Sequence, residues 1–476
     1  MTGEPAHRGH KRLHILEAQS VATFGAGAQI EIQLGHVCNN RCVFCVSGQM
    51  TEQRLAGTID TAPVLRELEA AAARGAKKLT ILGGEPTLQR SFLPALRRAV
   101  ELEFEEIVIF TNGVKTRRRS FVDELVALGR FTWRFSIQGG NEAAHDRVTQ
   151  KQGAFARIIE GMRHLKELGQ RVTANACINE HSYRSLPDFP ALIQAHDITQ
   201  LHLDMIRPSD AGVRTDEYLR AIMPRYADMA PYFREMLEGF EAIDPEFDVN
   251  VGNYPYCLLP EWSHKIHHDG EATMTVAADG ANELSKPWNK YEVKRVDKRH
   301  PPQCDACVFK PQCNGIFDKY AQFYGHDEFV PVSRARLRAL DPRLHHFTLL
   351  VEPHLLELVR GEPPGWRATR LHRSSRDRFV ELSLTARTDE GPLTATLVLT
   401  PPAGAGAPVD SPPVVLETDR FRVGLRLEGR PRRAAELAAV AALLRWLAAR
   451  VDDMSKQPGD SSRDQVDAPP VTVTRP

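Results

Sequence analysis

Three of the eight cysteines lie within a stretch of eight residues, in the segment GHVCNNRCVFCVSG (35–48). Thiolates spaced like Cys38, Cys42 and Cys45 can each bind one iron of a cubane cluster, which leaves the fourth iron without a protein ligand. An open coordination position is where a catalytic metal centre meets its substrate. The alternative is a zinc site, but the segment lacks the paired C-x-x-C blocks of common zinc folds. His36 is also too near Cys38 to be a comfortable fourth zinc ligand.

A second group of cysteines follows in the segment CDACVFKPQC, which contains Cys304, Cys307 and Cys313, and Cys257 precedes it. Four thiolates suffice for one fully ligated iron–sulfur cluster, and they also suit a zinc knuckle. The eighth cysteine, Cys177, lies inside a predicted strand, where we expect a small core residue without a chemical role.

Composition indicates a chain with several domains and no strong global charge. Of 476 residues, 42% are apolar, and 61 Lys and Arg balance 61 Asp and Glu, so a nucleic-acid partner is unsupported. No apolar run reaches the length of about 18 residues that a membrane span needs. The N-terminal residues lack the apolar core of a secretory signal. We therefore expect a soluble, cytoplasmic protein with reduced thiols, in which clustered cysteines bind metal.

Between residues 29 and 242 strand-like and helical patterns alternate six times. The predicted strands cover 29–34, 77–84, 105–113, 130–139, 171–179 and 199–208. The predicted helices cover 61–74, 90–102, 117–129, 154–169, 186–196 and part of 215–242. Such alternation predicts an α/β fold with parallel strands, and six units make an open, partial (β/α)6 barrel. The carboxyl ends of its strands should converge at one mouth, where such folds place their chemistry.

Residues suited to ligand binding occur at those strand ends. The three-cysteine loop follows the first strand, GGEPT (83–87) the second and TNG (111–113) the third. Ser136 and Gln138 follow the fourth. A glycine pair before Glu-Pro neither continues a strand nor starts a helix well, but it lets the backbone approach a small ligand closely.

The loop CNNRCVFC, the GGEP turn and the six-unit partial barrel together resemble the radical S-adenosylmethionine (SAM) superfamily. The resemblance covers residues 29–208 and implies a 4Fe-4S cluster held by Cys38, Cys42 and Cys45. The cluster's fourth iron would bind the amino and carboxylate groups of SAM. Its reduction would cleave SAM to a 5′-deoxyadenosyl radical that abstracts a hydrogen atom from the substrate.

The same resemblance implies a set of cofactor-binding residues. Phe44 is the aromatic neighbour expected beside the adenine. Contacts to the methionine amino group, largely through the backbone, are implied for Gly83, Gly84, Glu85 and Pro86. Thr111 and Asn112 belong to the expected site, as do Ser136 and Gln138, which would meet the cofactor's carboxylate and ribose. Gln138 stands where the family usually has an acid.

The downstream cysteines are similar to the SPASM extension that follows many radical SAM enzymes. The intervening segment EATMTVAADGANELSKP is predicted to form a β-hairpin around Asp279-Gly280, which suits that extension. A complete SPASM domain supplies seven cysteines for two clusters, whereas this region has four, and Phe317 occupies a position where a cysteine is expected. The resemblance therefore implies one auxiliary 4Fe-4S cluster on Cys257, Cys304, Cys307 and Cys313, with zinc as the alternative.

The predicted domains are an N-terminal segment (1–28), the barrel (29–242), the auxiliary region (243–332), an α+β domain (333–452) and a disordered tail (453–476). In the α+β domain five segments alternate like strands, beginning with HHFTLLVE (345–352), and a helix covers 432–451. The proline-rich stretch 401–413 is predicted to be a mobile loop.

Some polar residues near the predicted mouth have two interpretations. The segment NEAAHDRVTQKQGAF (141–155) resembles the His-Asp-Arg turn that follows the fourth strand in SPASM-type enzymes, but His145 and Asp146 are rather expected to cap the next helix and pair with a neighbour. Asp204 and Arg207 either bind a polar substrate or the cofactor carboxylate, or form a salt bridge at the edge of the core.

The sequence thus predicts a radical SAM enzyme supplied with electrons by a reductant such as flavodoxin or ferredoxin. SPASM-like enzymes often act on peptides, so a peptide is the leading substrate, and a nucleoside, sugar or other small metabolite is the alternative. A non-catalytic iron–sulfur sensor or scaffold is the alternative of another class, which the GGEP turn argues against because a sensor needs no cofactor pocket.

Overall fold

The computed structural model describes most of the chain, in two compact units of which each is treated by itself. The first unit ends at Pro331 and the second begins at Val332. The described residues are 29–211, 214–268, 273–351, 363, 365–374, 378–388, 391–402, 412–418, 420–428 and 434–456. The predicted N-terminal segment (1–28) and most of the predicted mobile loop (401–413) lie outside them.

One ten-stranded sheet dominates the described part of the first unit, in the order β10-β9-β1-β2-β3-β4-β5-β6-β7-β8. All neighbouring strands in it are parallel except β9 and β10. Its strands are β1 (Gln29–Gln33), β2 (Lys78–Leu82), β3 (Glu106–Thr111), β4 (Thr132–Ser136), β5 (Arg171–Ile178), β6 (Leu201–Met205), β7 (Val249–Gly252), β8 (Ile266–His267), β9 (Thr273–Val276) and β10 (Trp288–Asn289). A separate two-stranded ribbon pairs β11 (Lys298–Arg299) with β12 (Ile316–Phe317).

Helices connect the strands of the sheet. They are α1 (Val46–Glu52), α2 (Thr61–Ala73), α3 (Phe92–Glu101), α4 (Arg119–Val126), α5 (Glu142–Thr149), α6 (Ala154–Glu167), α7 (Phe189–His196), α8 (Asp216–Ile222), α9 (Tyr226–Ile243), α10 (Lys290–Val293) and α11 (Asp318–Tyr324). Short 3-10 turns occur at Pro86–Leu88, Tyr183–Asp188, Pro208–Ala211, Tyr256–Leu258, Pro260–Lys265 and Pro302–Ala306. In α3 the buried residues are Phe92, Ala95, Leu96 and Ala99, which is the spacing of a helix with one face on a sheet.

The sheet curves around a shared interior. Lys290 interacts electrostatically with Glu31 on β1 and with Asp204 on β6. Four strands separate β1 from β6, so in a flat sheet the two would be about 24 Å apart at the usual strand spacing. Trp133 and Phe135 are fully buried on the side of the helices, whereas Arg134 between them is only partly buried on the other face. The predicted α/β fold with six parallel strand–helix units is confirmed.

The structure also contains elements that the sequence analysis did not predict. Helices α1 and α5 follow the first and fourth strands, and β7 and β8 lengthen the sheet beyond β6. The predicted hairpin is confirmed, since β9 and β10 are antiparallel and Asp279 accepts the amide hydrogens of Ala281 and Glu283 at 2.8 and 2.9 Å. Because β9 pairs with β1, the region after residue 242 continues the barrel sheet rather than leaving it.

The second unit contains a five-stranded antiparallel sheet in the order β13-β14-β15-β17-β16. Its strands are β13 (Trp366–Ser374), β14 (Phe379–Thr388), β15 (Gly391–Thr400), β16 (Val414–Glu417) and β17 (Arg422–Leu427), and its helices include α12 (Arg334–Leu340) and α13 (Ala434–Lys456). Val440, Leu443 and Leu447 of α13 belong to the same buried core as the sheet, which confirms the predicted α+β architecture.

Two predictions for this unit are wrong. The segment HHFTLLVE is not a strand, because residues 347–351 are helical. Asp341 accepts the amide hydrogens of His345 and His346 at 2.9 and 2.8 Å, and such a carboxylate promotes a helical turn over an extended chain. The tail was predicted to be disordered from residue 453, but α13 continues to Lys456, and 457–476 lie outside the described residues.

Among the described helices, none is both long enough and apolar enough to cross a membrane.

Candidate active site

The three-cysteine loop is fixed to its surroundings by backbone hydrogen bonds. On one side Gly84 and Glu85 donate to the carbonyls of Gly35 and Val37, at 2.7 and 2.9 Å. On the other side the amides of Arg41 and Val43 each donate at 3.0 Å to carbonyls at the end of α5. The loop is therefore positioned by the turn after β2 and by a helix that follows β4.

Glycine is required at the centre of the turn after β2. A Cβ atom on Gly84 would lie 2.3 Å from the carbonyl oxygen of His36 and 2.6 Å from that of Val37. Real Cβ atoms do not approach backbone oxygens so closely, so only glycine lets the turn pack against the cysteine loop.

The carboxylate of Glu85 joins the ends of β2 and β3. It is 1% exposed, and it accepts hydrogen bonds from the hydroxyls of Thr87 (2.6 Å) and Thr111 (2.7 Å). It also accepts the amide hydrogens of Thr87 (3.2 Å) and Asn112 (2.7 Å). Burial raises the pKa of Glu85, and these four hydrogen bonds oppose the rise. Since both of its oxygens already have partners within the protein, the Glu85 side chain has a structural role, and its backbone is the part that suits contact with a ligand.

Asn112 carries this connection to the first cysteine. Its side-chain nitrogen donates to the amide oxygen of Asn39 at 2.6 Å and lies 3.7 Å from the sulfur of Cys38. The loop, the GGEP turn and the TNG turn are therefore in direct contact, as the sequence analysis expected of neighbouring strand ends.

The three thiols of the loop are placed where a cluster would suit them. Burial is the largest cause that raises the pKa of Cys38 to about 12, with smaller contributions from Glu85 and Cys45. Burial also raises the pKa of Cys42, and Cys45 and Cys38 raise it further. Buried thiols that oppose one another's ionisation favour binding to irons, whose positive charge stabilises the thiolates.

No three His, Cys, Asp or Glu side chains in the described ranges are grouped closely enough to hold a single metal ion. A cubane cluster makes a different demand, because each thiolate binds its own iron.

The remaining residues that were predicted to bind the cofactor are less directly connected to the cysteine loop. Phe44 is half-buried between the second and third cysteines, and Ser136 is half-buried at the end of β4. Gln138 is 4% exposed, and its side-chain oxygen accepts the amide hydrogen of Cys177 at 2.9 Å. This hydrogen bond continues the pairing of β4 with β5, so the side-chain oxygen of Gln138 already has a partner.

His145 and Asp146 have the structural roles that were favoured. His145 Nδ1 accepts the amide hydrogen of Gln138 at 3.0 Å. Asp146 accepts the amide hydrogens of Gly153 and Phe155, at 2.5 and 2.9 Å, and so caps the start of α6. Cys177 is not in the core as expected, since it is only half-buried.

The four downstream cysteines also come together. Burial is the main cause that raises the pKa of Cys257, and Cys307, Cys313 and Cys304 add to it in that order. Gly315 is needed beside them, because a Cβ on it would lie 2.2 Å from the carbonyl oxygen of Arg299. Four thiols that interact in this way suit a closed iron–sulfur cluster, in which each thiolate binds its own iron, better than a single zinc ion, for which they are not grouped closely enough in the described structure.

The interior of the barrel contains charged residues that the sequence analysis missed or left undecided. Glu31 on β1 accepts a salt bridge from Lys290 at 2.6 Å. Asp204 on β6 lies 3.1 Å from His202, and Arg207 pairs with Asp297 at 3.2 Å, which gives Arg207 a structural partner. The signal for Glu31 was a charged residue between two isoleucines at the centre of a predicted strand.

We predict that Glu85→Gln loosens the contact between the strand ends. Glutamine replaces one acceptor oxygen with a donor that faces other donors, which should cost about 2 kcal/mol, or about thirtyfold in local opening. Hydrogen–deuterium exchange of residues 83–90 and 108–116 measures this opening. Glu105→Gln, which removes an exposed ion pair with Lys77, is the control and should leave these peptides unchanged. Equal exchange in the two variants would contradict the role of Glu85.

We predict that His145 makes stability depend on pH. Burial lowers its pKa to about 4 from a usual value of 6.5, so the neutral ring is favoured in the folded state. Its contribution is complete above pH 6.5 and is lost as the pH falls towards 4, with a total on the order of 3 kcal/mol. The measurement compares free energies of unfolding with those of His145→Asn, whose side-chain oxygen can still accept the Gln138 amide hydrogen. The wild type should lose more stability than the variant on acidification, and parallel pH profiles would rule this out.

Comparison with known proteins finds sequence relatives for the first part of the chain. The sequence profile of the Radical SAM superfamily matches residues 32–181. The PqqA peptide cyclase of Rhodopseudomonas palustris is 26% identical over 225 residues, which are 47% of this chain and 59% of that protein. A probable GTP 3′,8-cyclase of Saccharolobus islandicus is 26% identical over 185 residues, 38% of this chain and 58% of that protein. The chain thus spans less than two thirds of these curated relatives.

Solved structures also resemble the fold. Streptococcus suis SuiB bound to the precursor peptide SuiA has a TM-score of 0.46 and 18% identity, over 64% of this chain and 75% of SuiB. Native anSMEcpe with bound AdoMet and Kp18Cys peptide has a TM-score of 0.45 and 13% identity, over 70% of this chain and 99% of that one. The sequence match to the Radical SAM superfamily therefore covers residues 32–181.

Proposed function

We propose that the protein is a radical SAM enzyme that modifies a peptide. Cys38, Cys42 and Cys45 hold a 4Fe-4S cluster, and SAM binds beside it at the mouth of the barrel. When bound, this pair supplies a 5′-deoxyadenosyl radical that removes a hydrogen atom from the substrate. A reductant such as flavodoxin or ferredoxin provides the electron.

One observation carries the catalytic part of this proposal. The cysteine loop, the GGEP turn and the TNG turn meet through the carboxylate of Glu85 and the side chain of Asn112. A sensor needs only the cluster ligands, whereas a glycine turn packed directly on the cluster loop suits the binding of a small cofactor.

The residues around the cysteines have distinct roles in this proposal. Gly83 and Gly84 bring the backbone of the turn to the amino group of SAM, and Pro86 starts the turn that follows. Glu85, Thr111 and Asn112 position the turn and the cysteine loop through their hydrogen bonds.

Two further groups complete the cofactor site. Phe44 lies beside the cysteines and covers the adenine, and Ser136 and Gln138 border the ribose and carboxylate. Because the side-chain oxygen of Gln138 accepts the amide hydrogen of Cys177, its side-chain nitrogen is the group that would meet the cofactor.

We assign the second group of cysteines to an auxiliary 4Fe-4S cluster. Cys257 comes from the 3-10 turn after β7, and Cys304, Cys307 and Cys313 come from the loop between β11 and β12. Their electrostatic coupling supports one shared centre, and Phe309 stacks on Tyr256 at 4.9 Å within the same group of segments. With four thiolates the cluster is closed, so it transfers electrons or supports the fold.

The peptide assignment is supported by the similarity to the PqqA peptide cyclase, which extends over more of this chain than the similarity to the GTP 3′,8-cyclases. The latter similarity favours a nucleotide as the alternative substrate.

We predict that the anaerobically reconstituted protein binds about eight irons per chain and forms 5′-deoxyadenosine when SAM and dithionite are added. Cys42→Ser should lower the iron to about four and abolish the nucleoside, because the SAM-binding cluster is lost. Cys307→Ser is the matched variant and should lower the iron to about four while substrate-free SAM cleavage persists. Iron content and mass spectrometry of the nucleoside are the two measurements.

Three results would contradict parts of this assignment. A wild type with about four irons, all lost in Cys42→Ser, would remove the auxiliary cluster. Zinc in place of that iron would make the second site structural. Absence of nucleoside in a fully loaded wild type, under conditions that activate a control enzyme, would favour a sensor or scaffold.

We predict that a peptide stimulates SAM cleavage. A low-molecular-mass extract of cells that produce the protein should increase nucleoside formation, and digestion of the extract with a protease that is then removed should abolish the increase. An increase that survives digestion would favour a nucleotide or another small metabolite. Cys42→Ser is the control for nucleoside already present in the extract.

A further inference from the structure

Three lysines recur at every fourth position in the segment KYEVKRVDK, which connects β10 to the β11–β12 ribbon. They are Lys290, Lys294 and Lys298. Lys290 begins α10, Lys294 is its C-terminal cap and Lys298 begins β11. We call residues 290–298 the lysine segment.

The lysine segment lies across the interior of the barrel. At its start Lys290 forms the 2.6 Å salt bridge with Glu31 of β1. At its end Lys298 donates to the side chain of Asn253, which in turn donates to Asp204 of β6 at 3.0 Å. Lys294, between them, interacts electrostatically with both Glu31 and Asp204. The three lysines therefore face residues from both sides of the curved sheet.

The strand end after β6 holds the segment in place. Arg207 forms a salt bridge with Asp297 at 3.2 Å and donates to the carbonyl of Val293 at 2.7 Å. These contacts use a backbone carbonyl and a carboxylate of the segment, and Asp297, which also acts on Lys298, is offset by Arg207. The orientation of the lysines thus depends on fixed contacts at both ends and on Arg207.

The interior has more positive than negative charge. Glu31 and Asp204 are its carboxylates, and they face four cations. The cations are Lys290, Lys294, Lys298 and Arg134. Glu106 and Arg171 also act on Arg134. They form a salt bridge with each other at 3.4 Å, so their charges cancel. With every carboxylate ionised, two positive charges are not balanced by these groups, and the Cys313 thiolate of the second cysteine group, which also acts on Lys298, reduces this excess to one.

Arg134 supports the same conclusion by its hydrogen bonding. Its Nε atom is buried and has no hydrogen-bond partner in the described structure. A buried guanidinium with an unused donor is costly unless a ligand supplies an acceptor, and a carboxylate is the acceptor that matches its geometry. Arg134 precedes Ser136 by two residues, so it enters the interior one step below the end of β4.

We propose that the lysine segment and Arg134 form a binding site for a carboxylate of the substrate, so that the barrel selects a peptide with an acidic side chain at the position to be modified. This proposal rests on the proposed function for its link to catalysis. The carboxylate enters the interior, where Lys294 and Arg134 together carry the excess positive charge, and Glu31 and Asp204 keep Lys290 and Lys298 in place. A neutral or basic side chain would leave the excess charge unpaired and would bind less well.

Glutarate, which carries the carboxylate of a glutamate side chain, is the probe for this site. The reconstituted full-length protein is treated with an acetylating reagent, and the acetylation rate of each lysine is measured by peptide mass spectrometry. Glutarate should protect Lys294 and Lys298, while glutaramide, its neutral analogue, should not. Lys77, which is 60% exposed on the outer surface, reports on non-specific effects.

Variants separate the site from general charge effects. Lys294→Gln should weaken the protection of Lys298 by glutarate about tenfold, as expected for the loss of one cation from a desolvated carboxylate site. Lys286→Gln removes an exposed positive charge a few residues earlier and should not change the protection. The control variant Lys286→Gln should also still cleave SAM in the absence of substrate, which shows that the mouth of the barrel is intact.

Several outcomes would overturn the proposal. Equal protection by glutarate and glutaramide, or no protection by either, would exclude a carboxylate site. Protection by SAM alone with no further effect of glutarate would assign the cations to the cofactor's carboxylate. If glutarate protects but the loaded wild type forms no 5′-deoxyadenosine, the carboxylate site stands and the proposed radical chemistry fails. If nucleoside forms without protection, only the acidic-substrate proposal fails.

Discussion

The arrangement of the candidate site depends on one buried carboxylate. Glu85 accepts four hydrogen bonds from Thr87, Thr111 and Asn112, and so joins the ends of two parallel strands. A carboxylate can be buried at this position because all of these donors converge on it, whereas an unpaired one would be strongly destabilising. Through Asn112 the same interaction reaches the loop that carries Cys38. The glutamate of the turn is therefore a positioning residue, and under the proposed function the turn would contact SAM through its backbone.

Within the first unit, the second group of cysteines is connected to the barrel through the sheet. Because β9 returns to pair with β1, the chain crosses the interior between Cys257 and the other three cysteines of the second group. This path places the lysine segment between Glu31 and the end of β6, directly before the β11–β12 ribbon. The groups that would bind a substrate and those that would hold an auxiliary cluster are thus consecutive in the chain. A change in one is expected to affect the position of the other.

Particular residues show where sequence patterns were sufficient to predict the strands and helices and where they were not. The alternation of apolar strands with amphipathic helices predicted β1 to β6 and their helices, because burial of one helix face and of whole parallel strands is visible in the order of residue types. The segment HHFTLLVE was predicted as a strand because its apolar residues fit both periods. Asp341, four residues before it, decides for a helix by accepting two amide hydrogens. Short elements such as β7 and β8 carry too few residues for a periodic signal.

The sequence by itself determined which residues can do the chemistry: the spacing of Cys38, Cys42 and Cys45 and the Gly-Gly-Glu-Pro turn are local patterns, and the strands before them determine that they lie at one end of the sheet. Only the tertiary structure decided what those residues contact. Gln138 and Glu85 were expected at a ligand, yet their side-chain oxygens bind the protein itself. The tertiary structure also decided the net charge of the barrel interior. Glu31, Arg134 and Lys290 are far apart in sequence, and only the curvature of the sheet brings their charges together, since electrostatic interactions depend on distance in space.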